Sequence, residues 1–170
     1  RQSWYPRPLR RQWGRLYIIC VRMVIAMRTQ GCTDSAWLAA LADPQTTLFI
    51  ERFGLSTPGA AWRLEQRDVP EHYITMVTAE VNLAEASGAR LRLEPNALLW
   101  LAPGAVHSMR SEDPSRPHTF YHLRFALTRR QAHLVPEAAV IHLPYAADLR
   151  PAMDALFDEF HTQMAFREQR

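Results

Sequence analysis

One stretch of the sequence decides the fold: Asn-Ala-Leu-Leu-Trp-Leu-Ala-Pro-Gly-Ala-Val-His, residues 96–107. An almost wholly apolar run ends at Pro103 and Gly104, and His107 follows three residues after the glycine. Proline fixes its own φ angle and glycine permits a tight reversal, so the pair ends one segment and turns the chain. The stretch therefore predicts a strand, a sharp turn and a second strand that begins at His107, at the mouth of a barrel.

Short extended segments lie on both sides of this stretch. Residues 46–53, 73–78 and 139–143 are predicted to be strands, and turn residues separate them. Strands this short, spaced by roughly 8–12 residues, are typical of sandwiches and barrels. In residues 119–127 the alternation predicts two faces of one strand. One face carries Phe120, His122, Arg124 and Ala126, and the other carries Tyr121, Leu123, Phe125 and Leu127.

The pattern changes to a helical one after Pro144. Apolar residues recur every three or four positions from Asp148 onward, which predicts an amphipathic helix. Asp148 is a candidate N-cap, and Pro151 is tolerated in a first turn, where its missing N–H costs nothing. The last turn carries no glycine or asparagine, so the helix is expected to continue past Arg170. The apolar stripe needs a partner, which is either the chain's own barrel or the same helix of a second copy in a homodimer. It consists of Leu149, Met153, Leu156, Phe160 and Met164.

Composition excludes several kinds of chemistry. The chain has 170 residues, 48% of them apolar, and all 20 of its basic residues are arginines. Without lysine there is no Schiff-base amine and no phosphate-loop lysine. Six of the arginines and no acidic residue fall in residues 1–26, so the rest of the chain is mildly acidic. That distribution argues against a broad nucleic-acid surface on the folded part.

The arginine-rich residues 1–26 are expected to be a leader, either a non-native start or a disordered arm. An export signal and an arm that binds nucleic acid or a membrane surface are the alternatives. Cys20 and Cys32 show no metal-binding spacing and are expected to be free thiols in a reducing, cytoplasmic environment. No apolar run approaches the roughly 20 residues that cross a bilayer, so no membrane partner is expected.

Residues 96–107 resemble the second metal-binding motif of cupins, G(x)5PxGxxH, with Asn96 in place of the leading glycine. The first cupin motif, a His-x-His pair with a glutamate, has no counterpart in residues 73–81. A catalytic metal takes at least three protein ligands. No cofactor and no catalysis are therefore expected. The alternatives are a composite metal site of His72, His107 and His122, and a small metal-dependent cupin enzyme, a dioxygenase or isomerase.

The order of segments is similar to that of the N-terminal sensor and dimerisation domain of AraC-family transcription regulators. The resemblance spans residues 46–170 and rests on residues 73–78, residues 96–107, a proline-containing loop at 113–117, residues 120–125 and the helix after Ala147. It implies a cupin-like β-barrel (a double-stranded β-helix or jelly roll) with a C-terminal helix. It also implies a homodimer, and DNA binding only through a C-terminal domain missing from this chain.

The resemblance also implies an effector site. In the arabinose-responsive member of the family, an arginine and a histidine contact the sugar. The position of that arginine falls close to Arg67 in this sequence, and the position of that histidine falls on His122. Met109 stands where that member has a tyrosine, and Arg124 where it has a tryptophan that stacks on the sugar. Arginine inside a barrel favours a carboxylate or phosphate through paired hydrogen bonds. The expected effector is a sugar or an organic acid held by Arg67, His107, Met109, His122 and Arg124.

These inferences divide the chain into three parts: a leader at 1–26, a cupin-like barrel at 27–145, and a truncated linker or dimerisation helix at 146–170. The predicted function is an effector-sensing and dimerisation module that binds a small ligand without catalysis. The alternatives are a solvated outer face for His122 and Arg124 and a core or turn-stabilising position for His107. Trp100 is expected in the core, with a platform for a ligand as its alternative.

Overall fold

The fold is mainly β with one C-terminal helix, as the sequence predicts. This is a computed structural model, and it describes residues 47–59, 61–128 and 140–168. The predicted leader at 1–26 and both cysteines lie outside the described residues. The described strands are β1 (Thr47–Ser56), β2 (Arg63–Arg67), β3 (His72–Ala79), β4 (Asn82–Ala86), β5 (Ala89–Leu93), β6 (Leu98–Leu101), β7 (His107–Ser111), β8 (Thr119–Thr128) and β9 (Val140–Leu143).

The strands form two antiparallel sheets that pack face to face. The large sheet has the order β1-β8-β3-β6-β9, and the small sheet has the order β2-β7-β4-β5. The apolar cluster between them takes Tyr73 and Phe120 from the large sheet and Ala84 and Met109 from the small one. Most successive strands cross between the two sheets, the exceptions being β4 to β5 and β8 to β9, which is the jelly-roll arrangement of a cupin-like barrel.

The sharp turn at Pro103 and Gly104 is a corner between the two sheets. It joins β6 of the large sheet to β7 of the small sheet, and His107 is the first residue of β7, as predicted. Gly104 has a φ of 79°, and its N–H donates to the Val69 carbonyl at 2.7 Å. Asn96 has a φ of 70°. Asparagine tolerates this left-handed conformation, so it substitutes for the glycine of the cupin motif without a large backbone penalty.

Helix α1 (Arg150–Glu168) covers the outer face of the large sheet. A short 3-10 turn, Ala147–Leu149, precedes it, and Pro151 falls in its first turn. Met153 and Leu156 are buried against Phe53, Ile74 and other apolar residues of the sheet. The helix therefore completes the core of a single chain. No helix in the described part of the chain is both long and apolar enough to span a membrane.

This packing corrects most of the predicted dimer seam. Leu149, Met153 and Leu156 are 2%, 1% and 0% exposed within the single chain, so they offer no surface to a second copy. Phe160 is half-buried against the same cluster. The side chain of Met164 lies outside the described part of the structure, so its role in an interface stays a prediction. The apolar stripe exists because the sheet behind it is apolar on its outer face and must be covered.

Candidate functional site

The interior face of β8 supplies the centre of the site. Side chains alternate along the strand: Tyr121, Leu123 and Phe125 pack under the helix, whereas Phe120 packs between the sheets. His122 and Arg124 share the face of Phe120 and point into the barrel, because residues two apart in a strand lie on one face. The predicted alternation is confirmed, and the alternative of a solvated outer face for this pair is wrong.

Strand pairing places further polar residues beside these two. Arg124 lies directly between Arg52 of β1 and Tyr73 of β3. His122 lies in the next row, between Gly54 and Thr75. Directly opposed residues of an antiparallel pair share a face of the sheet. The large sheet therefore presents two arginines, a histidine and a phenol at one end of its interior face.

Gly54 makes room for the His122 ring. A Cβ atom added at Gly54 would lie 2.4 Å from His122 Nε2 and 2.5 Å from its Cε1, well inside van der Waals contact. The imidazole thus lies close against the backbone of β1 at Gly54. Any larger residue at Gly54 would force the ring to turn away from its present position in the barrel.

The small sheet closes the other side of the site. His107 pairs with Arg67 of β2 on one side and with Ala86 of β4 on the other. Its ring stacks on Tyr73 of the large sheet, with centroids 5.3 Å apart and planes 27° apart. Met109 is two residues further along β7 and is buried in the same interior cluster. Arg67, His107, Met109, His122 and Arg124 thus all border one end of the barrel interior, which we call the barrel mouth.

Three arginines dominate the electrostatics of the barrel mouth. The pKa of His122 is lowered to about 4. Burial is the largest cause, and the positive charges of Arg52, Arg124 and Arg67 act in the same direction. Burial also lowers the pKa of His107, and the charges of Arg67 and Arg124 act in the same direction. Both imidazoles are therefore neutral at pH 7. The positive charge of the mouth therefore resides on the arginines.

The ring of His107 is buried, and its two nitrogens lack hydrogen-bond partners among the described residues. It is 3% exposed, and neither Nδ1 nor Nε2 has a hydrogen-bond partner of normal geometry within the described residues. The nearby backbone of Ala105 and Arg67 opposes the lowering of its pKa but completes no hydrogen bond to the ring. An unpaired buried polar group costs about 1–3 kcal/mol. A ligand that reaches His107 would recover part of that cost.

Sequence reasoning missed four residues of the mouth: Arg52, Tyr73, Glu51 and Glu71. The register of β1 against β8 shifts between Ile50 and Arg52, which marks a bulge. A bulge adds one residue to a strand and changes which side chains face inward. Simple alternation along residues 46–53 therefore cannot place Glu51 or Arg52. Tyr73 belongs to a strand that the sequence does predict, but its stacking on His107 is a contact between sheets that no local pattern contains.

The composite metal site of His72, His107 and His122 is wrong, because His72 lies on the opposite face of the large sheet. Its ring stacks on Phe125 at 5.0 Å, and Trp100 Nε1 donates to its Nδ1 at 3.3 Å. Trp100 is likewise a core residue of the outer face, 1% exposed. Within the described residues, no three His, Cys, Asp or Glu side chains lie close enough together to hold a metal. The three arginines around His122 make the barrel mouth a poor match for a divalent cation.

No protein-family model matches the chain, and no curated protein matches it in sequence. Similar solved structures exist at low identity. YhaK from Escherichia coli matches with a TM-score of 0.47 and 14% identity, over 61% of this chain and 46% of that one. The cupin domain of Cnp3 from Schizosaccharomyces pombe matches with a TM-score of 0.39 and 8% identity, over 47% of this chain and 64% of that one.

A third similar structure is a single-site mutant of the salicylate 1,2-dioxygenase from Pseudoaminobacter salicylatoxidans. It matches with a TM-score of 0.39 and 9% identity, over 62% of this chain and 31% of that one. The expectation that this chain is not an enzyme is therefore wrong as an exclusion, because enzymes are among the structures it resembles. The matched region is less than two thirds of each of the three proteins. The similarity extends to the cupin fold and does not single out AraC-family regulators.

Proposed function

We propose that the barrel mouth binds a small organic acid, with its carboxylate among Arg52, Arg67 and Arg124. The observation that carries the proposal is the convergence of three guanidinium groups from three strands at one end of the interior. Like charges on opposed strands, as at Arg52 and Arg124, destabilise a sheet. A bound anion relieves that repulsion.

The protein meets the charge of these arginines only in part, because Glu51 interacts electrostatically with Arg124. The ion pairs between described residues lie elsewhere, for example at Arg63–Glu65 and Arg92–Glu112, and none of them includes the three arginines of the mouth. A guanidinium presents parallel N–H donors that match the two oxygens of a carboxylate. The mildly acidic remainder of the chain makes a polymeric anion a poorer match than a small one.

Two uses of the bound acid each have an observation in their favour. Conversion is favoured by the neutral imidazole of His107, which can accept a proton from a ligand at pH 7. Signalling, as in the AraC-type module, is favoured by the position of the residues that the resemblance assigns to an effector. All five border the barrel mouth, and helix α1 packs on the other face of the same sheet. A bound acid would then act by favouring one arrangement of that helix.

The binding proposal is tested by isothermal titration with matched pairs of ligands, each a carboxylate and the neutral amide of the same skeleton. The acids are expected to bind and the amides are not. Arg124→Gln should weaken the acid by about tenfold or more, since a charge-assisted hydrogen bond contributes about 1.5–3 kcal/mol. Arg110→Gln is the matched control, because Arg110 is an exposed residue of β7 on the outer side of the small sheet.

Equal binding of acid and amide, or equal weakening by Arg124→Gln and Arg110→Gln, would overturn the proposal. A second measurement separates the two uses of the site. Incubation of the bound acid with the protein, followed by mass spectrometry, detects conversion. Sedimentation with and without the acid detects a change of oligomeric state while the acid is recovered unchanged.

A further inference from the structure

Thr75 lies one step deeper in the barrel than the arginines of the large sheet. It pairs with His122, and this pair lies between the position of Arg124 on one side and the pair of Phe120 and Val77 on the other. Phe120 and Val77 belong to the apolar cluster between the sheets. Residues two apart in a strand share a face, so the Thr75 side chain points into the interior, between the charged mouth and the apolar cluster.

The Thr75 hydroxyl is buried and has bonding capacity to spare. Thr75 is 1% exposed, and its Oγ1 has no hydrogen bond of normal geometry within the described residues. The Tyr73 phenol is near enough for Thr75 to oppose the rise that burial causes in the pKa of Tyr73. Even beside that phenol, a hydroxyl that has one donor and two acceptor positions keeps some of them unused.

His107 presents a second uncharged polar group beside the same phenol. Its ring stacks on Tyr73 from the small sheet, and both of its nitrogens lack partners in the part of the chain that the structure describes. A neutral imidazole has one donor and one acceptor nitrogen. Thr75 and His107, one on each sheet, thus keep both donors and acceptors available next to Tyr73. A ligand group that bonds to both would recover the cost of burying them unpaired.

A ligand hydroxyl matches these two groups better than a ketone or an ammonium group does. A hydroxyl both donates and accepts hydrogen bonds, whereas a ketone oxygen only accepts and an ammonium group only donates. An ammonium group would also bring a positive charge close to three arginines, and repulsion between like charges is stronger in a buried site than in water. Thr75 and His107 carry no negative charge to offset that repulsion.

We propose that the ligand is a hydroxy acid, with its carboxylate held by the arginines and its hydroxyl group held by Thr75 and His107. The inference rests on the proposed binding of an organic acid and names its class. Arg67 pairs with His107, and Arg124 pairs with Tyr73, so an arginine lies beside the polar groups on each sheet. Neighbouring strands are about 5 Å apart, so only a few bonds separate the hydroxyl of the ligand from its carboxylate.

The test uses isothermal titration with four acids of one carbon skeleton: butyrate and its 2-, 3- and 4-hydroxy derivatives. The three derivatives place the hydroxyl at different distances from the carboxylate. At one of these positions the hydroxy acid is expected to bind about tenfold or more tightly than butyrate, because butyrate leaves Thr75 and His107 unpaired. The amino acid with its ammonium group at that same position is expected to bind more weakly than the hydroxy acid.

Two variants of Thr75 separate its hydroxyl from its shape. Thr75→Val removes the hydroxyl and keeps the branched side chain, so the ratio of hydroxy-acid affinity to butyrate affinity should fall close to one. Thr75→Ser keeps the hydroxyl and should retain the ratio. Thr78→Val is the matched control on the same strand, because the Thr78 hydroxyl already donates to the Thr119 carbonyl at 3.0 Å. It should leave the ratio unchanged.

The outcomes distinguish this inference from the proposed function. Equal affinity for butyrate and all three hydroxy acids overturns the inference and leaves the proposed function standing. Tighter binding of the amino acid than of the hydroxy acid, or an unchanged ratio in folded Thr75→Val protein, overturns it as well. Failure of all four acids to bind overturns the proposed function. The comparison of acids on the wild-type protein decides the inference even if a variant does not fold.

Discussion

Along β8, consecutive residues have opposite surroundings. Leu123 and Phe125 are 4% and 2% exposed and pack under helix α1, whereas His122 and Arg124 face the barrel mouth. The same contrast extends to β3, where Ile74 faces the helix and Tyr73 faces the mouth. The helix side of the large sheet is apolar apart from His72, whose ring stacks on Phe125. The mouth side carries charges and unpaired polar atoms.

The contrast assigns stability to one face and binding to the other. Burial of apolar side chains contributes roughly 25 cal/mol for each Å² removed from water, and the helix side has many such side chains. Paired arginines and an unpaired imidazole on the mouth side reduce stability, and the helix side offsets that loss. Substitutions on the two faces should therefore have separable effects, and the predictions below range from the largest expected change in stability to the smallest.

The largest loss of stability is expected for Leu156→Ala. Leu156 is 0% exposed between α1 and the large sheet, and removing a buried leucine side chain costs about 2–5 kcal/mol. The urea midpoint measures the loss. Asp158→Ala, an exposed position on the same helix, should change little. Weaker acid binding by folded Leu156→Ala protein would contradict the separation of the two faces.

A large effect is also expected when the pH falls. Burial lowers the pKa of His72 to about 4, below its ordinary value of 6.5. Between these two values the unfolded chain takes up a proton that the folded chain does not, so stability falls as the pH drops from 6.5 to 4. The loss from His72 is at most about 3 kcal/mol, and it is absent above pH 6.5.

His72→Phe should make this pH dependence shallower, because it removes one buried imidazole on the helix side. Urea midpoints between pH 7 and pH 4 measure the slope. The exposed His161 on α1 provides the control, since His161→Phe should leave the slope unchanged. An identical slope for wild type and His72→Phe would show that His72 is protonated in the folded protein over this range.

A smaller loss is expected for Tyr121→Phe. The Tyr121 hydroxyl donates a hydrogen bond to Asp154 of α1. Burial, then this hydrogen bond and the charge of Asp154, raises the pKa of Tyr121 to about 12. Loss of the hydrogen bond should cost about 1–2 kcal/mol. In the double variant with Asp154→Asn the losses should be less than additive, and full additivity would mean that the two groups do not interact.

The smallest change in stability, and the clearest change in binding, is expected for Gly54→Ala on the mouth side. The new Cβ displaces the His122 ring, which can rotate into the barrel with little effect on the core. The urea midpoint should barely move, while affinity for the acid falls about tenfold or more. Gly59→Ala is the control, because a Cβ there meets nothing within 4 Å. Full affinity in Gly54→Ala would remove His122 from the site.

Much of this division could be predicted from local patterns. The alternation in residues 119–127 separates the two faces of β8, and Pro103 with Gly104 marks the corner that brings His107 to the mouth. Both inferences hold because side-chain direction in a strand has a period of two and because turn residues have restricted backbones. The alternation groups His122 with Arg124 on one face, but it does not say which face is interior; the packing of Phe120 between the sheets decides that.

Other features depend on contacts between distant segments. The β1 bulge changes which residues face inward, so the opposition of Arg52 and Arg124 is not contained in the alternation. Alternation places His72 on the face opposite to Tyr73, but its stacking on Phe125 joins strands that are distant in the sequence. The apolar stripe of α1 indicates that the helix packs against another apolar surface, but it does not identify that surface. In the structure the surface is the outer face of the large sheet.

The hydrogen bond from Gly104 to Val69 has a further consequence for the position of Arg67. Val69 lies in the connection between Arg67, the last residue of β2, and His72, the first residue of β3. Because Gly104 belongs to the turn that precedes His107, the hydrogen bond restrains this connection against the corner between the two sheets. Inserting or deleting one residue within the connection should therefore displace Arg67 and weaken binding of the acid.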